Sequence, residues 1–203
     1  MLSTQVLKIK VLTCGGMTDQ MSEQEAAFLI NSLGLFRNVE HFGRATPRAN
    51  VNLVRAYTAA DFFRGVAGDE NILHLIAHAD ASKLQTGNAK STVTAADLED
   101  RAARKGLFLP EVVVSSGCKF QSVAWRSALA SAGVKLLIAA QKTVTPANLT
   151  AFDMSFYSAL LSQVRRGHST LDRVEASFKL ADKHYRAIHA KGTPFARFEL
   201  QRL

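Results

Sequence analysis

The sequence predicts an α/β domain, a central and mostly parallel sheet flanked by helices on both faces. Three observations lead there. Short apolar runs such as NILHLIA, VVV and VKLLIAA lack polar alternation, the pattern of strands buried on both faces. Stretches with helical periodicity and capping residues separate these runs, so strand and helix alternate along the chain. The length of 203 residues suits one domain with a full sheet and its covering helices, and residues 1–203 read as that single domain.

The elements follow in order. VLKIKVLT, Val6 to Thr13, alternates apolar and polar residues and opens the sheet; Cys14, Gly15 and Gly16 end it. Two glycines after a first strand suggest a phosphate-binding turn, but Met17, Thr18 and Asp19 intervene before any helix and break that spacing. Ser22 as N-cap, with Glu25 completing a capping box, opens a helix through Ala26, Phe28, Leu29, Ile30 and Leu33, and Gly34 stops it. A short strand is expected around Asn38 to Phe42, then a polar stretch with Pro47, then a helix from about Thr58 to Val66. Asn71 to His78 is a strand. KLQTGNAKSTV, Lys83 to Val93, reads as a hairpin whose turn tolerates positive φ, a flap placed to cover a cleft. Thr94 caps a helix closed by Lys105 and Gly106. The strand inside Glu111 to Gln121 follows, then a helix from Gln121 to Ala132 ended by Gly133, and a buried strand from Val134 to Ala140. Helices from Pro146 to Val164 and Thr170 to Ala190 precede a final edge strand, ARFEL.

Composition narrows the function classes. No apolar run approaches the roughly 18 to 20 residues of a membrane span, and MLSTQVLKIKVLT interleaves lysines with apolar residues like a strand, not a signal peptide. Cys14 and Cys118 sit at the ends of separate strands and are expected to stay reduced, in a cytoplasmic protein. The formal charge of +8 raises the possibility of a polyanion ligand. Much of the excess lies near the carboxyl terminus, where Arg173, Lys179, Lys183 and Arg186 alternate with Asp172, Glu175 and Asp182. That pattern is a solvated helix face, without the aromatic interleaving that stacks bases, so nucleic acid is not expected as a direct ligand.

Two residues carry the chemistry. EVVVSSGCKFQ is a β-branched run that ends on small residues and delivers Cys118 just past a strand end, where an open α/β sheet places its chemistry. NILHLIAHAD ends the same way on His78. If the two strands are neighbours, a thiol and an imidazole emerge at one edge within reach of each other, a nucleophile with its base. His74, inside the second run, reads as a satisfied core histidine. A zinc site from His74, His78, Cys118 and Cys14 has no supporting spacing, because strand residues four apart lie roughly 13 Å from each other. No metal or other cofactor is expected. Trp125 and the aromatics Phe152, Phe156 and Tyr157 fall at helical spacing and read as core.

In sequence, ILHLIAH, the hairpin, TVTAADLE, VVVSSGC, LASAGVKLLIAA and FDMSFYSALLSQVRRGHSTLDRVEASFKLAD resemble successive blocks of the CHAT family, caspase-like peptidase domains related to separase. The resemblance runs from about Asn71 to the carboxyl terminus, roughly two thirds of the chain. It implies a caspase-haemoglobinase fold and a cysteine endopeptidase, with His78 as catalytic histidine and Cys118 as nucleophile. In the family the histidine is usually followed by glycine, whose amide forms half of the oxyanion hole; here Ala79 follows, and its amide can serve if positive φ is not required. The backbone amides of Ala79 and Cys118 are therefore the expected oxyanion donors, each typically worth about 3 kcal/mol. Gly117 lets the substrate backbone approach. Acids after the next strand often shape the family's specificity pocket, but Gln141 stands at that place, so a preference for basic residues is not assumed. Asp80 and Asp153 are candidate acid contributors expected on the surface.

No third triad member is singled out. The resemblance further implies a protein substrate and activation by a regulatory partner, in bacterial defence or cell-death pathways. The rival readings are a caspase-like interaction scaffold without catalysis and a polyanion-binding protein.

Overall fold

A computed structural model describes residues 6–15, 19–38, 49–87, 91–162, 169–188 and 197–203. Its main sheet has the strand order β2-β1-β3-β6-β7-β8, built from β1 (Leu7–Thr13), β2 (Ala49–Arg55), β3 (Ile72–Ile76), β6 (Val112–Ser115), β7 (Leu136–Ala140) and β8 (Phe198–Arg202). All neighbours pair in parallel except β7 with β8. The continuous apolar runs form the centre of the sheet: every residue of β3, β6 and β7 is buried.

Helices cover both faces, as the sequence predicts. Alternate residues of β1, Leu7, Ile9 and Val11, pack with α1 (Gln20–Asn38), α5 (Pro146–Ser162) and α6 (Thr170–Ile188). The opposite face carries α2 (Ala59–Val66), α3 (Ala95–Lys105) and α4 (Val123–Ser131) around Phe62, Leu98 and Trp125. Thr58 and Thr94 each close a capping box, with Asp61 and Asp97, and Gly106 ends α3 in the left-handed conformation at φ 59°. The hairpin is β4 (Lys83–Thr86) with β5 (Ser91–Thr94). It is fastened down: Leu84 and Val93 are fully buried, and the Gly87 amide donates to the Cys14 carbonyl at 2.9 Å. The turn end of the hairpin is thus pinned beside the end of β1.

Three expectations near the amino terminus are corrected. Helix α1 begins at Gln20, and Ser22 lies in its first turn, donating its hydroxyl to Asp19 Oδ2 at 2.7 Å. Gly34 does not stop the helix, which continues to Asn38. The expected strand at Asn38 to Phe42 has Asn38 in that helix instead, and 39–42 lie outside the described residues; the second strand is β2, in the stretch read as polar loop.

Two glycines make opposite predictions. A Cβ on Gly87 would come 2.1 Å from the Tyr57 carbonyl oxygen at φ +61°, whereas one on Gly34 meets nothing within 4 Å. In urea titrations Gly87→Ala should lose at least about 2 kcal/mol of stability and Gly34→Ala should gain about 0.5 to 1 kcal/mol. The reverse order would rule out a left-handed Gly87 packed against the Tyr57 carbonyl.

Candidate active site

The site forms where three adjacent strands, β1, β3 and β6, end at the carboxyl edge of the sheet. It lies beside the switch point at which the chain, having placed β2 on one side of β1, places β3 on the other. β3 and β6 pair with Leu75 opposite Ser115, and the ladder extends through a bond from the Ser116 amide to the Leu75 carbonyl, 2.9 Å. Beyond the last paired residues both chains leave the sheet at this same edge, one into the loop that carries His78 and the other into the loop that carries Cys118. The two loops touch: a Cβ on Gly117 would lie 3.0 Å from the Ala79 Cβ and 3.1 Å from Ser115 Oγ, so any larger residue would push the loops apart by a few tenths of an ångström.

Helix α4 locks the arrangement. After Cys118 the chain turns sharply, with Lys119 left-handed at φ 55°, and Ser122 caps α4. The Ser122 hydroxyl donates to the Ala81 carbonyl and Trp125 Nε1 to the Asp80 carbonyl at 3.0 Å. Trp125 is fully buried and stacks on Phe120 with ring centroids 4.5 Å apart. The loop leaving the cysteine therefore grips the loop leaving the histidine. Among the described residues neither the Ala79 nor the Cys118 amide has a hydrogen-bond acceptor, and Ala79 is not among those with positive φ.

His78 is half exposed, and its Nε2 lies 2.9 Å from Asp19 Oδ2. Burial pushes the Asp19 carboxyl up, but the Ser22 hydroxyl and amide and the His78 imidazole outweigh it and hold the group below the usual carboxylate range. An ionised Asp19 selects the His78 tautomer that carries its proton on Nε2 and leaves the Nδ1 lone pair free. Asp19 was invisible as a site residue in the sequence, where it preceded a helix start assigned to Ser22.

Beneath this pair, toward the core, lies a buried polar cluster. His74 is fully buried; its Nδ1 is 2.8 Å from the Tyr157 hydroxyl, its Nε2 is 3.1 Å from Ser116 Oγ and 3.7 Å from Asp153 Oδ2. The core-histidine reading of His74 thus finds its partners. Burial pushes His74 down to about 3, so the ring is neutral, and raises the Asp153 carboxyl and Tyr157 hydroxyl well above their ordinary values, with Glu25 adding to the rise at Asp153. Burial also raises Glu25 of α1 to about 7, against the opposing effect of the Ser116 hydroxyl, and its Oε1 is inaccessible and accepts no hydrogen bond. Ligand atoms of Glu25, His74 and Asp153 all lie within 4.8 Å of one another, but both His74 nitrogens already have hydroxyl partners. The raised carboxyls mark a cluster that holds protons.

The remaining expected site residues separate. Asp80 is at the surface, but its carboxylate accepts from the Ser82 and Lys83 amides at 2.8 and 2.9 Å and shapes the turn after His78. Gln141, at the end of β7, donates to Glu199 Oε2 at 2.6 Å and is tied to β8. Asp153 is a correction: it is 3% exposed and faces His74, because α5 is covered on both sides by α1 and α6, so it is neither on the surface nor placed to meet a substrate.

The caspase-like geometry has counterparts among solved structures. A secreted C11 cysteine protease from Bacteroides thetaiotaomicron superposes with a TM-score of 0.59 at 11% identity, over 97% of this chain and 66% of that one. A second structure, a secreted C11 cysteine protease from Bacteroides thetaiotaomicron in complex with an irreversible peptide inhibitor, gives 0.56 at 9% identity, over 94% and 62%. The chain has the caspase-like fold of the C11 cysteine proteases. It spans less than two thirds of the length of either protease chain. No family model matches the sequence, and no curated protein does.

The cluster makes a prediction about stability. A carboxyl raised from 4.5 to about 7 binds more protons folded than unfolded, so Glu25 stabilises the fold below the lower value and that stability is lost as pH rises through the upper one, up to about 3 kcal/mol. His74, lowered from 6.5 to about 3, works the other way, its contribution present above pH 6.5 and lost as pH falls. The difference between variants isolates Glu25: Glu25→Gln should exceed wild type in stability at pH 7.5, and the advantage should shrink toward pH 4.5. A constant difference across that range would show that Glu25 does not hold a proton.

Proposed function

We propose that this protein is a cysteine endopeptidase in which Cys118 attacks the substrate carbonyl and His78 exchanges the proton. The observation that carries the reading is the approach of the two strand-end loops at Gly117 and Ala79, the residues next in sequence to Cys118 and to His78 with its Asp19 partner. With Nε2 on Asp19, His78 Nδ1 is the nitrogen that takes the Cys118 proton and returns it to the leaving amine. The unengaged amides of Ala79 and Cys118 point to the oxyanion hole, which needs donors that form no other bond. Gly117 is buried among Ala79, Ser115 and Phe120, so its part is to let the two loops meet and not to face the substrate backbone as the sequence suggested; Asp80 and Gln141 are offered as substrate neighbours only by their places at the ends of the loop and of β7. Asp19 orients the imidazole and stabilises the imidazolium, the part a carboxylate plays in other histidine-assisted nucleophiles. Within the caspase-like fold, the blocks from Asn71 onward support assignment to the CHAT branch. The substrate is a protein. A regulatory partner, a cytoplasmic location and a place in bacterial defence or cell death belong to the same proposal and rest on that resemblance.

The test is cleavage of a peptide library mapped by mass spectrometry. Cys118→Ala and His78→Ala should each abolish cutting, while Asp19→Asn should lower kcat/KM by about two orders of magnitude with little change in stability. Independently of any substrate, iodoacetamide at neutral pH should label Cys118 about tenfold faster in the wild type than in His78→Ala, with the buried Cys14, whose thiol burial pushes up, as the slow internal reference in both. A Cys118 rate unchanged by His78→Ala would favour the non-catalytic scaffold.

A further inference from the structure

A second concave surface lies away from this site. Helices α2 and α3 both run from the carboxyl edge toward the amino edge of the sheet, and between their final turns opens a cavity of about 620 Å³. Phe63, Leu107 and Phe108 give it an apolar floor and rim; Arg64, Arg101 and Lys105 give it charge, and no acidic residue lines it. Phe108 is 69% exposed, its ring resting over Gly106 and Gly133 with the rest open. The Arg101 guanidinium stacks on Phe63, 4.0 Å from the ring centroid. Among the described residues neither Arg101 nor Lys105 has a carboxylate at ion-pair distance, although Asp97 lies near enough to Arg101 to feel its charge; Arg64 pairs with Asp61. One exposed aromatic ring beside two cations without carboxylate partners, at the rim of a concave surface, has the composition of a binding hot spot.

We propose that this groove docks an acidic segment of a partner protein, with one bulky apolar side chain seated against Phe108 beside the Arg101–Phe63 stack and flanking carboxylates paired to Arg101 and Lys105. A nucleotide fits worse. Its phosphates concentrate charge that proteins meet with backbone N–H groups at helix N-termini, whereas α2 and α3 present their C-terminal ends here, where the carbonyls carry partial negative charge. A peptide spreads its charges singly along the groove, which separate cations on one helix can meet, and the chain's +8 charge steers such a partner in. The docked segment lies at the far edge from Cys118, so it is not the segment proposed to be cut, and the site stands or falls separately from catalysis.

Fluorescence anisotropy with Cys118→Ala protein tests this, using a fluorescein-labelled peptide of glutamates around one phenylalanine. Saturable binding is expected, weakened by salt, and lost when the phenylalanine becomes serine or the glutamates become lysines. Phe108→Ala and Lys105→Glu should each weaken binding by about fivefold or more and together by about twentyfold, while Lys183→Glu on α6 should have no more than the small effect of net charge. Phe108 and Lys105 are exposed, so circular dichroism should show both variants folded. Absence of binding, equal loss in Lys183→Glu, or displacement of the peptide by ATP at lower concentrations than unlabelled peptide would overturn the proposal.

Discussion

The parallel pairing of β3 with β6 is the constraint on which the site depends. Parallel strands carry evenly spaced ladder bonds, and a shift of one residue would turn each side chain to the other face. Here the register is set by apolar residues buried on both sides of the sheet, Ile72 and Val112 toward one layer of helices and Leu73 and Val113 toward the other. The core thus decides which residues stand level at the edge. Gly117 then lets the loops close to contact, and Trp125 and Ser122 hold the histidine loop from the helix that the cysteine loop starts. Little of this arrangement is left to the site residues themselves.

Beneath the edge, the sheet gives way to polar groups in graded depth. Asp19, partly exposed and met by Ser22, is stable as an anion; Asp153, enclosed among helices, is not. Ser116 belongs to both levels, because its hydroxyl faces His74 while its chain leads directly to Gly117 and Cys118. A buried polar network of this kind is costly unless each member has a partner, and Glu25 Oε1 lacks one. The cluster fixes the end of β6 against α5 through His74 and Tyr157, so the position of the cysteine loop is coupled to the packing of a helix that does not touch substrate in the proposed mechanism.

Much of this was legible in the sequence for a physical reason: strands buried on both faces must be continuously apolar, so their ends stand out where small and polar residues begin. That exposed both His78 and Cys118. The edge strand β2 was missed because it is half solvated: Asn50 and Asn52 alternate with Val51 and Leu53, a weaker signal than a continuous apolar run, and the stretch with Pro47 read only as polar. The start of α1 was ambiguous because aspartate and serine are both good caps, and only the fold shows Asp19 taking the Ser22 amide and hydroxyl while reaching His78. Asp153 misled in the opposite sense. A lone carboxyl in a helix reads as a surface group, yet α5 is covered by both neighbouring helices, and burial there follows from topology that no local pattern records.

The central claim is one of proximity, and a disulfide trap measures it without reference to activity. In a Cys14→Ala background, His78→Cys puts a second thiol on the loop that touches the Cys118 loop, and a disulfide between them forms only if their Cα atoms come within about 7 Å. The account predicts that mild oxidation closes an intramolecular 78–118 bridge in the folded protein, seen as loss of both free thiols and a peptide cross-link by mass spectrometry. Two thiols that remain separately alkylable after oxidation of the folded chain would contradict it.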